Sequence, residues 1–397
     1  MKVLFLTPQL PFPPFSGGVI KSYKLIEHLS VSNNVEMVCF LKQPRDKEYL
    51  SAFLKIMPKV NVLTDLIFPI DIPRTPINLT KSYFNSMPLT IYRNKLKKLK
   101  KQIAAHANDY DTIFVDHYLM FQYVPSSYKG RIIVHQHNAE YVAWDRYSKL
   151  SINPLKKTLL KIEALRIKKY EIAMCRAATS ILASPNDIEA LISAGGPKEN
   201  FFETFHLGNE ENLALPDIEY GQTSLDVLFI GTLTWEANID GLLWFIKESW
   251  PTIKKQIPGV CLTIAGNLST KLNKQLLKLE PAAKVLGFVE DLEPLYRSHR
   301  VFVAPIRFGS GQKVKVVNGL YRGIPIVTTP IGVEGLAVKN EEHLLIGEDS
   351  FEFANSVIRL LNDPIIWQKL SHQSRTHMSN NYTWDKALMN VTRSLSE

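Results

Sequence analysis

A chain of 397 residues is too long for one ordinary hydrophobic core and is expected to divide into about two or three domains, two being the simplest reading. With 45% hydrophobic and 21% charged residues, and no apolar run near the ~20 residues that span a bilayer, the composition excludes disordered, fibrous and transmembrane classes. The net charge of +9 calls for an acidic partner, but its sign does not choose among nucleic acid, phospholipid and phosphorylated small molecules.

In chain order, only Lys2 precedes the short apolar run Val3–Leu6 and prolines follow, so the start reads as a buried strand rather than a secretory signal. The loop behind it, PQLPFPPFSGGVIKSYKLIEHLS, sets Gly17 and Gly18 between proline-fixed chain and a helix. Backbone there can approach a ligand closely, although a tight turn needs the same residues. The densest cationic block is RNKLKKLKK, Arg93 to Lys101, with six cations in nine residues and with Leu96, Leu99 and Ile103 spaced for one helical face. Two readings stand side by side: an amphipathic helix lying on an anionic membrane surface, or a solvated helix whose apolar residues pack on the domain. No nucleic-acid module is visible, so no nucleic acid is expected as a partner. The DYD of Asp109 to Asp111 precedes its strand and reads as a turn rather than a metal-binding pair.

The strand candidates VLFL, VEMVCF, TIFVD, RIIVHQ and TSILAS alternate with helical segments. Two of them end in histidine: TIFV runs into Asp116 and His117, and RIIV into HQHNAE, His135 to Glu140. A neutral imidazole both donates and accepts, so a histidine at a strand end can orient a sugar hydroxyl or stabilise developing charge; a hydrogen-bonded structural histidine is the alternative. His135 and His137 share a strand face, but no third ligand is placed by the sequence, so no metal is expected. The long helical pattern from PLKKTLLKIEALRIKKYEIAMCRAA has Asn153 as its cap and Pro154 at its first position.

A polar stretch near residues 209–225 interrupts the pattern, which restarts with VLFI, CLTIAG, AKVLGFV, VFVAPI and IPIVTT. Near-continuous apolar strands alternating with helices indicate an α/β fold with two Rossmann-like, doubly wound parallel sheets. The expected domains are 1–215, 216–375 and a closing helix, 376–397, packed across the junction. Ligands in such sheets sit at the carboxyl ends of strands, so the glycine loops of both halves should face a shared cleft. Cys39, Cys175 and Cys261 are odd in number and widely spaced, which suggests buried reduced thiols in a cytosolic protein.

The stretch RFGSGQKVKVVNGL, Arg307 to Leu320, asks for an anion. Gly309 and Gly311 permit an unusual backbone path, and the helix behind them aims N–H groups and its positive dipole end at the loop. Arg307, Lys313 and Lys315 add charge there, and Asn318 shares a helical face with Lys315. A phosphate or diphosphate is the economical ligand. Neither the Walker A order nor the dinucleotide fingerprint is met, because Val314 stands where a third glycine belongs.

These residues resemble a known family. VLFIGTLTWEANIDGLLWFIKESWPTIKKQIPGVCLTIAG, LGFVEDLEPLYRSHRVFVAPIRFGSGQKVKVVNGLYRGIPIVTTPIGVEGL and KYEIAMCRAATSILASPND are similar to GT-B glycosyltransferases of the retaining family-four, group 1 type, and more narrowly to those of exopolysaccharide and cell-surface glycan synthesis. The resemblance implies that Gly17 and Gly18 approach the donor phosphate and that His137 lies near the transferred sugar, with His117 on the acceptor side. It implies that Gly231, Thr232 and Asn238 line the donor side, that the turn at Val289 meets the base, and that Gly309 to Gly311 and Lys315 meet the diphosphate. Many relatives carry two glutamates eight positions apart where Ser310 and Asn318 stand, and an Arg and a Lys where Thr232 and Asn238 stand. Phosphate charge must then be met by Arg307, Lys313 or Lys315, and Asn318 can hold a ribose hydroxyl only by a neutral bond, roughly half as strong as a charge-assisted one.

The expectation is a cofactor-free, metal-independent transferase that takes a nucleotide-diphosphate sugar and extends a glycan or lipid-linked acceptor, cytoplasmic and peripheral at the inner membrane face through Arg93 to Lys101. Two rivals are a non-catalytic GT-B binding partner of an active transferase, motivated by Ser310 and Asn318, and a sugar-nucleotide epimerase on the same fold.

Overall fold

A computed structural model describes residues 1–41, 44–63 and 75–396. The chain divides into two compact units, Met1–His206 with Asp385–Glu397, and Leu207–Trp384.

The first unit is built on a seven-stranded sheet of β1 (Lys2–Leu6), β2 (Asn34–Val38), β3 (Val60–Val62), β4 (Thr112–Asp116), β5 (Arg131–His135), β6 (Ser180–Ala183) and β7 (Phe201–Glu203). Its order is β3-β2-β1-β4-β5-β6-β7, and every pairing is parallel. Val3, Leu4, Phe5 and Leu6 are buried, as are Ile113, Phe114 and Val115, which is what a sheet covered on both faces requires. The order reverses between β1 and β4, so the loops behind these two strands part there and leave a crevice.

The second unit repeats the plan in six strands: β8 (Ser224–Ile230), β9 (Leu262–Ala265), β10 (Lys284–Gly287), β11 (His299–Ala304), β12 (Ile326–Thr328) and β13 (Leu345–Ile346). The order β10-β9-β8-β11-β12-β13 reverses between β8 and β11. Its core gathers Phe229, Phe245, Trp250, Val301, Val303 and Phe353.

All ten strand candidates form strands, and β3, β7 and β13 are additional. These three are two or three residues long, too short for a period to show. The long helix runs Pro154–Ala177, and the Asn153 side chain accepts from the Lys156 N–H at 3.0 Å. Two boundaries differ from expectation. Residues 207–215 belong to the second unit because Arg375 donates to the Leu213 and Leu215 carbonyls at 2.8 Å and Asn318 accepts from Asn209 N–H at 2.7 Å. The expected single helix 376–397 is two, Pro364–Asn381 and Trp384–Ser396, broken after Asn380 and Asn381, which are weak helix formers. The second of these joins the first unit, where Thr204 Oγ1 donates to the Ala387 carbonyl at 2.6 Å and Asn390 to the Glu203 carbonyl at 2.7 Å.

Candidate functional site

In the second unit, the loops after β8 and β11 flank the crevice. Gly231 and Thr232 follow β8, and residues 307–313 follow β11 before the helix Val314–Arg322. Lys315 crosses the crevice: its ammonium donates to Asn238 Oδ1 at 2.7 Å, and Asn238 Nδ2 donates to the Thr232 carbonyl at 2.9 Å. A Cβ on Gly231 would lie 3.2 Å from the Lys315 Nζ, so the glycine keeps the lysine's path open. Gly266 sits closer still. Its φ is +149°, and a Cβ there would meet the Gly231 carbonyl oxygen at 1.8 Å, so only glycine lets β8 and β9 end side by side.

Burial, and then the neighbouring charge of Lys313, push the Lys315 amine down to about 7. Near neutrality it is therefore only about half protonated, and an anion placed beside it would favour the charged form. The loop in front of it needs its glycines, because Gly309 has φ +129° and Gly311 φ +70°. Lys313 is buried and donates to the Ser310 carbonyl at 3.2 Å and to the Gly311 carbonyl, bracing the loop from within. Arg307 turns to Asp240, gripping both carboxylate oxygens at 2.8 Å, and its guanidinium stacks near Trp244. Ser310 is buried. Asn318 fills the space left by Gly208, where a Cβ would lie 1.8 Å from its Oδ1. Val289 is half-buried in the turn beyond Gly287, whose carbonyl accepts from Gly266 N–H at 2.7 Å.

The matching crevice of the first unit holds the opposite chemistry. Asp116, at the end of β4, is wholly buried, and its Oδ1 accepts from His135 Nδ1 and from His137 Nε2, each at 2.8 Å. Its Oδ2 accepts from Thr7 Oγ1 at 2.9 Å and Ser22 Oγ at 2.5 Å, so the loop after β1 and the helix Gly17–Ser32 both converge on one carboxylate. Burial alone would raise the Asp116 carboxyl, but the charge of His137 and the two ring hydrogen bonds outweigh it and hold the group well below the carboxylate range. Burial also drives His135 down to about 3 despite its bond to Asp116, and it drives His206, stacked on His135 at 5.0 Å, well below its usual value. Lys21 is pushed down to about 7 by burial, opposed by Asp116, and it donates to Thr204 Oγ1 at 2.6 Å and the Phe205 carbonyl at 2.9 Å.

With its Nε2–H on Asp116, His137 turns Nδ1 toward the start of the helix, where a Cβ on Gly18 would stand 3.3 Å away. Gly17 and Gly18 form the first turn of that helix, beside the ring of His137. His117 takes φ +87°, an uncommon backbone for a non-glycine residue, and its ring lies 4.9 Å from that of His137. Asp116 supplies the third ligand atom that the sequence did not place: with His135 and His137 it brings three candidate metal ligands within 4.8 Å of one another. In this structure the His135 Nδ1–H and the His137 Nε2–H both rest on the carboxylate, and the Lys21 charge acts on it.

Lys21, His206, Thr7 and Ser22 were not singled out in the sequence. The available signal was weak: Lys21 and Ser22 stand three and four residues after Gly18 and so share its helical face.

The basic block departs from a single amphipathic helix. Leu89–Arg93 and Lys97–His106 are separate helices, and Leu99 and Ile103 are buried in the first unit's core. The apolar face is thus used internally while Lys97, Lys98, Lys100 and Lys101 stay exposed. Beside them a cavity of about 360 Å³ is lined by Met87, Lys95, Leu96, Lys97, Lys100, Lys101, Ala104, Gln122 and Tyr123. Asp109 ends the short 3-10 turn Ala107–Asp109, and Asp111 accepts from the Lys2 N–H of β1 at 2.7 Å just ahead of β4. Cys39, Cys175 and Cys261 are free thiols, the first two buried as expected and Cys261 only partly so. Among the described residues, no helix is long and apolar enough to cross a membrane.

Comparison with known proteins agrees with the motifs. Residues 224–363 match the family model of group 1 glycosyl transferases. The chain is 22% identical to an uncharacterized 44.6 kDa protein in the cps region of Klebsiella pneumoniae, over 98% of both chains. Among solved structures it is similar to Anabaena HepE in complex with UDP and glucose, with a TM-score of 0.72 at 15% identity over 100% of this chain and 99% of that one. It is also similar to the sucrose-phosphate synthase of Thermosynechococcus elongatus, with a TM-score of 0.69 at 17% identity over 99% and 98% of the two chains. At these identities the likeness shows the fold, which is GT-B.

Proposed function

We propose that the protein is a retaining glycosyltransferase that moves a sugar from a nucleotide-diphosphate sugar to a glycan or lipid-linked acceptor in bacterial surface polysaccharide synthesis. The observation that carries this reading is Lys315, held by Asn238 across the crevice between β8 and β11, beside a loop in which Gly309 and Gly311 take positive φ. HepE, bound to UDP and glucose, supports a nucleotide diphosphate as the ligand, and the cps-region relative supports a surface polysaccharide as the product.

Charge builds on the diphosphate as the sugar leaves, and a preorganised cation stabilises that transition state more than the ground state. Lys315 supplies the cation, Lys313 holds the loop, and the first turn of the helix Val314–Arg322 adds N–H groups; this division of labour supports transfer without a metal. In the first unit, His137, set by Asp116, is the group for the transferred sugar, His117 stands on the acceptor side, and Gly17 and Gly18 meet the donor phosphate. The donor phosphate assists removal of the acceptor proton, while the protein positions both substrates. The exposed lysines of Arg93 to Lys101 give peripheral attraction to an anionic inner membrane face.

Calorimetry with a panel of nucleotides and nucleotide sugars tests the reading. Binding that is lost in Lys315→Ala supports it, and absence of both binding and any effect of Lys315→Ala on transfer defeats it. A non-catalytic GT-B partner is the second reading, favoured by Ser310 and by Asn318, whose Oδ1 is occupied by the Asn209 N–H. Nucleotide binding without donor hydrolysis or transfer would favour it. Epimerisation is separated by product analysis in the absence of acceptor.

A further inference from the structure

The long helix Pro154–Ala177 is apolar on two opposite faces. Leu160, Ala164, Ile167 and Met174 are buried in the first unit. On the other side, Leu155, Leu159 and Ile162 stand four and three residues apart on one face, flanked by Leu165, and are 70%, 38%, 38% and 60% exposed; Ile152, in the turn before the helix, is 99% exposed. Among the described residues this apolar arc is left toward solvent, and such patches mark interaction surfaces. Arg166 ties a neighbour to it. The guanidinium donates to the Ser82 carbonyl at 2.7 Å and to the Met87 carbonyl and covers the Tyr83 ring, fixing the helix Pro76–Phe84, whose Ile77 and Phe84 are 67% and 86% exposed.

Charge identifies the occupant. Between Pro154 and Lys169 the helix carries Lys156, Lys157, Lys161, Arg166, Lys168 and Lys169 against the single carboxylate Glu163, which is buried and paired with Arg166 at 2.8 Å. Two such helices repel each other, whereas an anionic lipid surface attracts the lysines and takes up the leucines. We propose that this face is an interfacial helix that docks the first unit on an anionic bilayer, Ile152, Leu155, Leu159, Ile162 and Leu165 entering the headgroup boundary with the lysines at the phosphates. It extends the peripheral part of the proposed function, rests on that reading only for the acceptor's location, and is separable from the transfer chemistry because donor binding is measured without lipid.

The test is co-sedimentation of the full chain with vesicles of phosphatidylcholine alone and of phosphatidylcholine with about a third phosphatidylglycerol. Binding is expected to be much stronger with the anionic lipid, with a weak remainder on phosphatidylcholine alone from apolar insertion. A measurable fraction should persist at about 1 M salt, where the Debye length is about 3 Å and only apolar insertion remains. Leu155→Asp with Ile162→Asp should lower the partition coefficient about ten-fold or more. Leu155→Phe with Ile162→Leu should retain it. Lys97→Glu with Lys100→Glu should remove only salt-sensitive binding. Thermal unfolding of each variant should match the parent, since the residues are exposed. Binding that is the same in the aspartate variant overturns the proposal, as does loss of binding in the aspartate variant together with the phenylalanine–leucine variant. Self-association of the parent that the aspartate variant abolishes, with no vesicle binding, identifies a second copy of the chain instead. If vesicles bind as expected but no nucleotide does, the transferase reading fails while this one stands.

Discussion

The two crevices arise from the same topology and hold opposite chemistry. In each unit the strand order reverses beside the first strand of the sheet, and the loops on either side of the reversal supply the polar groups. In the second unit these loops place a cation, Lys315, against a neutral amide; in the first they place a carboxylate, Asp116, under two imidazoles, a threonine and a serine. Each crevice also has a lysine lowered to about 7 by burial, but the surroundings differ. Lys21 is countered by Asp116 and bonded to protein oxygens, a closed arrangement, while Lys315 has Lys313 as its electrostatic neighbour and gains from an incoming anion. The fold supplies the location of a site, and its side chains decide which charges and hydrogen-bonding groups it offers a ligand.

The sharpest way to break the contrast is Asp116→Ala. Removing a buried carboxylate that gathers four donors takes away the acceptor they share, and the first unit should lose about 3–5 kcal/mol in urea denaturation, with nucleotide affinity lowered less than by removal of Lys315. If the loss is under about 1 kcal/mol, the cluster is not the closed network described. Lys315→Ala should do the reverse. Nucleotide-sugar affinity should fall about ten- to a hundred-fold, the range of a charge-assisted contact, with stability unchanged or slightly raised because a desolvated amine is removed.

A third outcome follows from pH. An anion bound at Lys315 favours the charged amine and so raises its pKa above 7. Binding then takes up a proton above that pH, and affinity for a nucleotide sugar should fall as pH rises through 7, by up to about ten-fold per pH unit, with no slope from this group below it. Calorimetry in buffers of different ionisation heat reads the proton directly, and Lys315→Arg should flatten the slope. The smallest effect concerns the ribose end. Asn318→Asp keeps an oxygen for the Asn209 N–H and adds charge, so affinity should rise only a few-fold, about the difference between neutral and charge-assisted bonds. An unchanged affinity would place the ribose elsewhere.

Much of this was legible in the chain. Continuous apolar strands separated by helices follow from burial on both sheet faces, and the positive φ of Gly309 and Gly311 follows from the spacing of glycines before a helix. His117, His135 and His137 stood out because they stand at or just past strand ends, and the capping of the long helix by Asn153 was readable because it depends on residues side by side.

What the sequence could not decide is which partner each polar side chain takes, because that depends on atoms far apart in the chain. Arg307 turns to Asp240 instead of toward the glycine loop, 67 residues away; Lys315 finds Asn238, 77 away; and Lys21 reaches Thr204, 183 away. Leu99 and Leu155 both sit among lysines in helical patterns, yet Leu99 is buried and Leu155 is 70% exposed. Local periodicity specifies that a helix has an apolar face; only the packing of distant elements settles whether that face meets the protein's own core or something outside it.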